Sequence, residues 1–397
     1  MPCHVLPLMV ALCGLADATP LAKRVFELYT APEAKQRALV SALVADRPAW
    51  EELDAAVAGA LPYPAGRTGL ITETVAMKDG KDTRRIPINL YVPASYSGAK
   101  AFGVLLFLHS AGGSGLPWAE QLGDVANENS MIVCAPTEPG SLNKGWVYSP
   151  FQRTMHRDSL DWLRRHYHID DDRIVVGGVS RGGHGAWDLA FSYPDQFAGL
   201  LGLIGGPAPD RLALLPSIAH LDFLCLQGAK DEAGIVEPVR KAVAALKGLG
   251  GNVLYQEDAE AGHSFHFESV DLSAWLSGVL RRPFPKKVTV MTAGESGRRS
   301  FWLEIVKVVQ DAGKQPLPAR AAGEIDGNEI RLQVENVREL KLHLHEQLLP
   351  LARVKVLVNG QVRHEGRVAK NLGGFLREML ERGDRRARCM GELTVRP

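Results

Sequence analysis

Arg173-Ile174-Val175-Val176-Gly177 runs directly into Gly178-Val179-Ser180-Arg181-Gly182. The first stretch is short, β-branched and uncharged after its first residue, which predicts a buried strand. Beyond it, residues 182–191 carry small side chains at helical spacing (Gly182, Ala186, Ala190), so a helix can press close to a sheet. Strand, G-x-S-x-G and helix in that order are the context of a nucleophile elbow, a turn too tight for side chains two positions either side of its serine. Glycine at 178 and 182 removes those Cβ atoms and tolerates the backbone. Ser180 Oγ is then expected at the carboxyl end of the sheet, above a helix N-terminus. The plainer reading is a glycine-rich connection with a solvated serine, so the rest of a mechanism has to be found independently.

A serine hydroxyl attacks poorly unless a histidine takes its proton and a carboxylate orients that histidine. After such an elbow the acid comes next along the chain and the histidine last, each on a loop after a later strand. Residues 198–204 and 221–226 read as two further strands, and the second leads into Gln227-Gly228-Ala229-Lys230-Asp231. Asp231 is therefore on a loop at the correct end, before a helical stretch at 236–246. Residues 252–256 form another strand, whose exit loop delivers Ala261-Gly262-His263-Ser264-Phe265. The reading is Ser180 as nucleophile, His263 as base and Asp231 as its orienting acid. Asp231 could instead cap the helix that follows it. Glu232 and Asp258 are the substitute acids, and His266 and His184 the substitute histidines. His184 is expected near the pocket floor and His266 on the first turn of the last helix of this region.

Cleaving an acyl bond also requires donors for the oxygen that becomes negative. Residues 103–109 form an apolar strand ending in His109-Ser110-Ala111-Gly112-Gly113-Ser114-Gly115. That loop is similar to the H-G-G-G type, whose amide joins the amide after the serine, here Arg181. Ser110 stands where glycine is usual, so the inward amide is that of Ser110, Ala111 or Gly112; Ala111 with Arg181 is the expected pair. His109 is read as a brace for the loop. A phosphate-cradling role fails because G-K-[ST] is missing.

With these residues placed, 67–282 resembles the α/β-hydrolase superfamily, and more narrowly its secreted esterase and prolyl-oligopeptidase-like branch. The resemblance rests on the lead-in Ile169-Asp170-Asp171-Asp172-Arg173-Ile174, matching I-D-x-x-R-[IV], and on Ser180-Arg181-Gly182-Gly183, matching S-x-G-G. It implies a Ser-His-Asp hydrolase that needs no cofactor. Arg181 departs from the pattern, being a large cation where smaller or neutral residues are common; it either enters the pocket or ties down neighbouring acids. Trp146, on a loop after the strand at 131–135, is a candidate wall for substrate. Relatives that cleave peptides place a large β-propeller before the hydrolase, whereas only 19–66 stand there in this chain. The expected substrates are therefore small-molecule, carbohydrate or lipid esters of short acyl groups. A serine peptidase is the alternative, and a non-catalytic binding protein on a hydrolase scaffold is the alternative from another class.

The chain has 397 residues, 46% of them hydrophobic, and a formal net charge of +1. The length suits two domains, and the near-neutral balance argues against nucleic acid or anionic membrane as a partner. Residues 5–16 form an apolar run of signal-peptide length, followed by Ala16-Asp17-Ala18 as an A-x-A cleavage site. The expectation is a secreted or periplasmic protein, since the run is too short for a stable membrane span. Of five cysteines, Cys134 and Cys225 lie in apolar runs and read as core residues. No disulfide framework is implied. The pairs His166/His168 and His343/His345 lack cysteine or carboxylate partners at ligand spacing and read as solvated, so no metal site is expected. The basic run 377–388, interrupted by acids, reads as a solvated helix end.

The organisation expected is a signal peptide at 1–18, a helical segment at 19–66 packing on the hydrolase or capping it, the α/β-hydrolase at 67–282, and a β-rich, sandwich-like domain at 283–397. In the last, 288–291, 301–309, 330–334, 340–345, 354–358 and 362–364 read as short strands, with Asn359-Gly360 as a type I′ hairpin turn and one helix at 375–380. The fold class is α/β, a mostly parallel sheet flanked by helices, with β-rich layers appended. Oligomeric state has no sequence signal.

Overall fold

The computed structural model describes residues 18–140, 148–294 and 296–397. Three helices open the chain: α1 (Pro20–Thr30), α2 (Glu33–Asp46) and α3 (Trp50–Ala58). A hairpin follows, β1 (Gly69–Asp79) and β2 (Asp82–Val92), then β3 (Phe102–Leu108), α4 (Leu116–Gln121), α5 (Gly123–Asn129) and β4 (Met131–Pro136). The elbow region comprises α6 (Pro150–His166), β5 (Ile169–Val179) and α7 (Arg181–Ser192). β6 (Gly199–Leu203), β7 (Asp222–Gly228), α8 (Ala233–Gly248), β8 (Asn252–Asp258) and α9 (Leu272–Gly278) complete the unit.

These eight strands form one sheet in the order β1-β2-β4-β3-β5-β6-β7-β8. The first three are paired antiparallel and the rest parallel. Burial follows position. Every residue of β3 and β4 is buried, as a parallel strand covered on both faces requires, whereas β8 at the edge alternates. α6 begins with a reciprocal capping box between Ser149 and Gln152, has Pro150 in its first turn and ends on Arg164, Arg165 and His166. Its orphan amides and its dipole are thereby satisfied at both ends. This is the α/β-hydrolase sheet, with one apolar core on each face.

The remainder is β-rich. β9 (Lys287–Thr292), β10 (Arg299–Ser300), β11 (Leu303–Val308), β12 (Ala319–Asp326), β13 (Glu329–Glu335) and β14 (Val337–Leu344) lead to β15 (Val354–Val358) and β16 (Gln361–Gly366); α10 (Leu372–Arg382) and β17 (Gly391–Val395) end it. They make a four-stranded sheet, β10-β11-β14-β17, and a five-stranded one, β16-β15-β13-β12-β9. The opening helices pack chiefly on the carboxyl-terminal layers, while α1 and Tyr63 also touch α6 and His168 of the hydrolase. Val25, Leu28, Leu43, Leu53 and Val57 share one core with Trp302, Leu344, Phe375 and Leu376. An amphipathic pattern states that a face is buried, not which partner buries it.

The basic run is solvated only in part: Arg377 and Glu381 are exposed on α10. Past α10 the chain turns through Gly383 and buries Asp384, Arg385 and Arg388 at the seam with the hydrolase. Arg281, with a fully buried side chain, lies 3.0 Å from Asp172 and 2.6 Å from Asp384. Arg164 pairs with Asp171 at 2.7 Å, and Arg386 with Asp172 at 2.8 Å. The Asp-rich lead-in to the elbow strand thus anchors Arg164 and Arg281 and, from the carboxyl-terminal stretch, Arg386. His168, His343 and His345 are likewise buried rather than solvated; His345 meets Asp54 of α3 at 3.0 Å. Among the described residues no helix is long and apolar enough to cross a membrane. The expected signal peptide and its cleavage site lie outside the described residues, except for Ala18.

Candidate active site

β5 ends at Val179, and Ser180 takes φ 55° and ψ −118° before α7 begins. A non-glycine residue there is strained, and such strain persists only where the surroundings fix it. The fixing contacts are backbone bonds: Ser180 N–H donates to Leu203 O at 2.8 Å, and His184 N–H to Ser180 O at 3.0 Å. A Cβ on Gly178 would lie 2.3 Å from Gly182 O, and one on Gly182 would lie 2.0 Å from Leu108 O. The glycines therefore let α7 close onto β3 and β5.

The structure brings the three separated side chains together. Ser180 Oγ is 2.7 Å from His263 Nε2, and His263 Nδ1 is 2.8 Å from Asp231 Oδ2. Ser180 donates to Nε2, which leaves the imidazole proton on Nδ1, donated to the carboxylate. Asp231 accepts further bonds, from Gln227 Nε2 at 2.9 Å and from Glu232 N–H at 2.7 Å. Its side chain is 2% exposed while that of His263 is 44% exposed, so the acid is sequestered and the histidine opens to solvent.

The rival residues have other duties. Asp258 Oδ1 accepts from the amides of Glu260 and Ala261, at 2.9 and 3.2 Å, and so shapes the loop that carries His263. Glu232 is the N-cap residue of α8 and makes no side-chain cap bond. His266 is on an exposed loop, 3.8 Å from Asp258, not on a helix. His184 Nδ1 lies 2.6 Å from Gly206 O, and the ring lines the cavity with Ser180 and His263. Burial pushes its pKa down.

Arg181 does not reach into the pocket. Its side chain is 4% exposed and its Nη1 lies 2.7 Å from Glu138 Oε2 and 3.0 Å from Tyr148 Oη. Glu138 also accepts from Gln152 Nε2 at 2.9 Å and meets His156 Nε2 at 3.1 Å. Burial alone would raise the Glu138 pKa, but His156, Arg181 and Gln152 outweigh it and hold the carboxyl at about 2. The Glu138 amide donates to His109 Nε2 at 3.0 Å, so the His109 proton is on Nδ1, donated to Ser110 O at 2.8 Å. One buried cluster thereby joins the elbow to the loop after β3. Glu138, Gln152, Tyr148 and His156 carry this framework, and Gln227 separately supports Asp231; none was singled out by sequence, since none sits in a motif and they meet only in three dimensions.

Ala111 and Arg181 line the same cavity as Ser180, together with Lys230, Asp231, Glu232 and Ile235, in about 460 Å³. Lys230 at its rim pairs with Glu260. Trp146 lies outside the described residues. Two larger clefts, of about 660 and 740 Å³, run along the seam with the carboxyl-terminal sheets and share no residue with this one.

Residues 82–204 match the family model described as "Putative esterase". Among solved structures, a thermostable esterase is 24% identical over 47% of this chain and 54% of its own, with a TM-score of 0.40. The feruloyl esterase module of Clostridium thermocellum is 17% identical over 55% of this chain and 90% of its own, at 0.42. An S-formylglutathione hydrolase from Staphylococcus aureus is 13% identical over 54% and 94%, at 0.39. The sheet order and the elbow give this chain the α/β-hydrolase fold, and the esterase model spans the stretch of it that carries the elbow.

Proposed function

We propose that this enzyme hydrolyses carboxylic esters of short acyl groups through an acyl-enzyme on Ser180. The observation that carries the reading is the unbroken hydrogen-bond chain Ser180–His263–Asp231, at 2.7 and 2.8 Å. His263 takes the hydroxyl proton as Oγ adds to the carbonyl carbon, then returns it to the departing alkoxide. Water, deprotonated by the same imidazole, releases the acid and restores the serine. Asp231 fixes the tautomer and stabilises the imidazolium. The amides of Ala111 and Arg181 hold the oxyanion, the second at the start of α7, where the unsatisfied helix amides favour negative charge.

Short acyl groups are favoured by the absence of a lid over the cavity among the described residues. Only a nine-residue 3-10 segment, Pro209–Ser217, is inserted between β6 and β7, and His263 remains 44% exposed. An alkoxide leaves more readily than an amide nitrogen, which supports esters over peptides. Export is part of the same proposal, on the apolar run at 5–16 and the A-x-A at 16–18. Acetyl, octanoyl and peptide-anilide substrates offered at equal concentration test the specificity. The acetyl ester is expected to turn over fastest, and preference for the anilide would replace this reading with a peptidase.

A further inference from the structure

The antiparallel register of β14 and β17 sets His343 directly opposite Glu392, and Cys389 lies on the turn entering β17. Imidazole nitrogen, thiol sulfur and carboxylate oxygen all fall within 4.8 Å of one another. The cysteine and carboxylate partners missing along the chain around His343 are thus supplied by the far end of the sequence.

The state of the imidazole points to a ligand. His343 is 4% exposed and its Nε2 lies 2.6 Å from Glu304 Oε2. That carboxylate holds a ring proton on Nε2, and Nδ1 lies on the side of Glu392 and Glu378. Nδ1 is buried without a hydrogen-bond partner; the nearest carboxylate oxygens are 3.5 Å away on Glu392 and 3.8 Å away on Glu378. A carboxylate behind a histidine whose other nitrogen has no donor is the arrangement found behind metal-bound imidazoles.

We infer that His343 Nδ1, Cys389 Sγ and a Glu392 oxygen form a binding site for a zinc-class divalent cation. Mixed nitrogen, sulfur and oxygen donors suit zinc, whereas magnesium and calcium take oxygen alone. Charge agrees. Glu304, Glu378 and Glu392 stand against Arg299, paired with Glu378, and Lys341, 3.6 Å from Glu392. Three negative groups and two positive ones leave one negative charge; a Cys389 thiolate makes two, which a divalent cation cancels. Binding releases the thiol proton to solvent, one per metal. Ligand atoms on one zinc sit about 3.6 Å apart, so the cluster must contract by roughly an ångström. Glu392, with its side chain 51% exposed, is able to swing inward. The cation would clamp β17, the edge strand of its sheet, to β14.

The full-length chain, stripped with chelator and reloaded with Zn²⁺ or Co²⁺, tests this by elemental analysis, absorption and thermal unfolding. Expected are one metal per chain, a thiolate-to-cobalt charge-transfer band, and a rise in Tm with zinc. Cys389→Ser should abolish the band and the Tm rise. Glu392→Gln, at a half-exposed position that should not disturb folding, should lose stoichiometric metal. Glu304→Gln should weaken affinity about 10–100-fold. Metal bound equally by the wild type and both ligand variants would overturn the site. So would a protonated Nδ1 by nitrogen NMR in the presence of equimolar zinc, which would make His343 an imidazolium shared among carboxylates.

Discussion

Arg181 shows how one residue can be visible in the sequence and illegible in role. Its place after the serine was plain, and both uses considered for the side chain were chemically reasonable. Glu138, Tyr148, Gln152 and His156, which decide the matter, come from the loop after β4 and from α6, and no local pattern connects them to the elbow. That Ser180, His263 and Asp231 would meet was legible because each follows a different strand in a fixed order. Removing the Arg181 cation should leave the buried Glu138 with only Gln152 and His156 as partners, costing about 3–5 kcal/mol; Arg181→Met measured by denaturant unfolding reads that loss. Glu138 also gives a pH signature. Its folded pKa, about 2, lies below the ordinary 4.5, so its contribution is complete above pH 4.5 and is lost as pH falls toward 2. Glu138→Gln should flatten that part of the acid limb of stability, and identical limbs in variant and wild type would refute the account.

At the scale of elements, every strand and helix that positions the triad was readable, because buried strands alternate with amphipathic helices at regular spacing. The misses are α4, α5 and α6 of the hydrolase and several strands of the carboxyl-terminal sheets. β12 reads Ala-Arg-Ala-Ala-Gly-Glu-Ile-Asp, weak strand formers, and is a strand because β9 and β13 pair with it on both sides. Context overrides propensity there. β17 is short and pairs only with β14. The strand read over 301–309 is β11; the turn at Phe301, where φ reaches 49°, sets it against β10, which lies before that stretch. The elbow makes the sharpest element-level prediction. Gly182→Ala would put a Cβ 2.0 Å from Leu108 O, forcing α7 away from β3. Loss of about 1–3 kcal/mol and of most turnover is expected. A crystal structure of an active Gly182→Ala enzyme with an unshifted helix would show that the close approach is not needed.

Across the whole molecule, the β-rich layers and the opening helices form a single core held to the hydrolase by buried charge. None of this was legible from local sequence: Arg281 and Asp384 are 103 residues apart, and both side chains are fully buried. Removing residues 283–397 should expose the face of α1–α3 and yield insoluble protein. Asp384→Asn should leave Arg281 short of a partner and lower stability by about 3–5 kcal/mol, with catalysis of the surviving folded fraction unchanged. A shift below about 1 kcal/mol would make the network ornamental. The central claim, however, concerns the nucleophile, and fluorophosphonate labelling followed by mapping of the modified peptide tests it most directly. The account predicts one adduct per chain, on Ser180, absent in Ser180→Ala and formed far more slowly in Asp231→Asn. No adduct, or an adduct on any other residue with Ser180 unmodified, would contradict it.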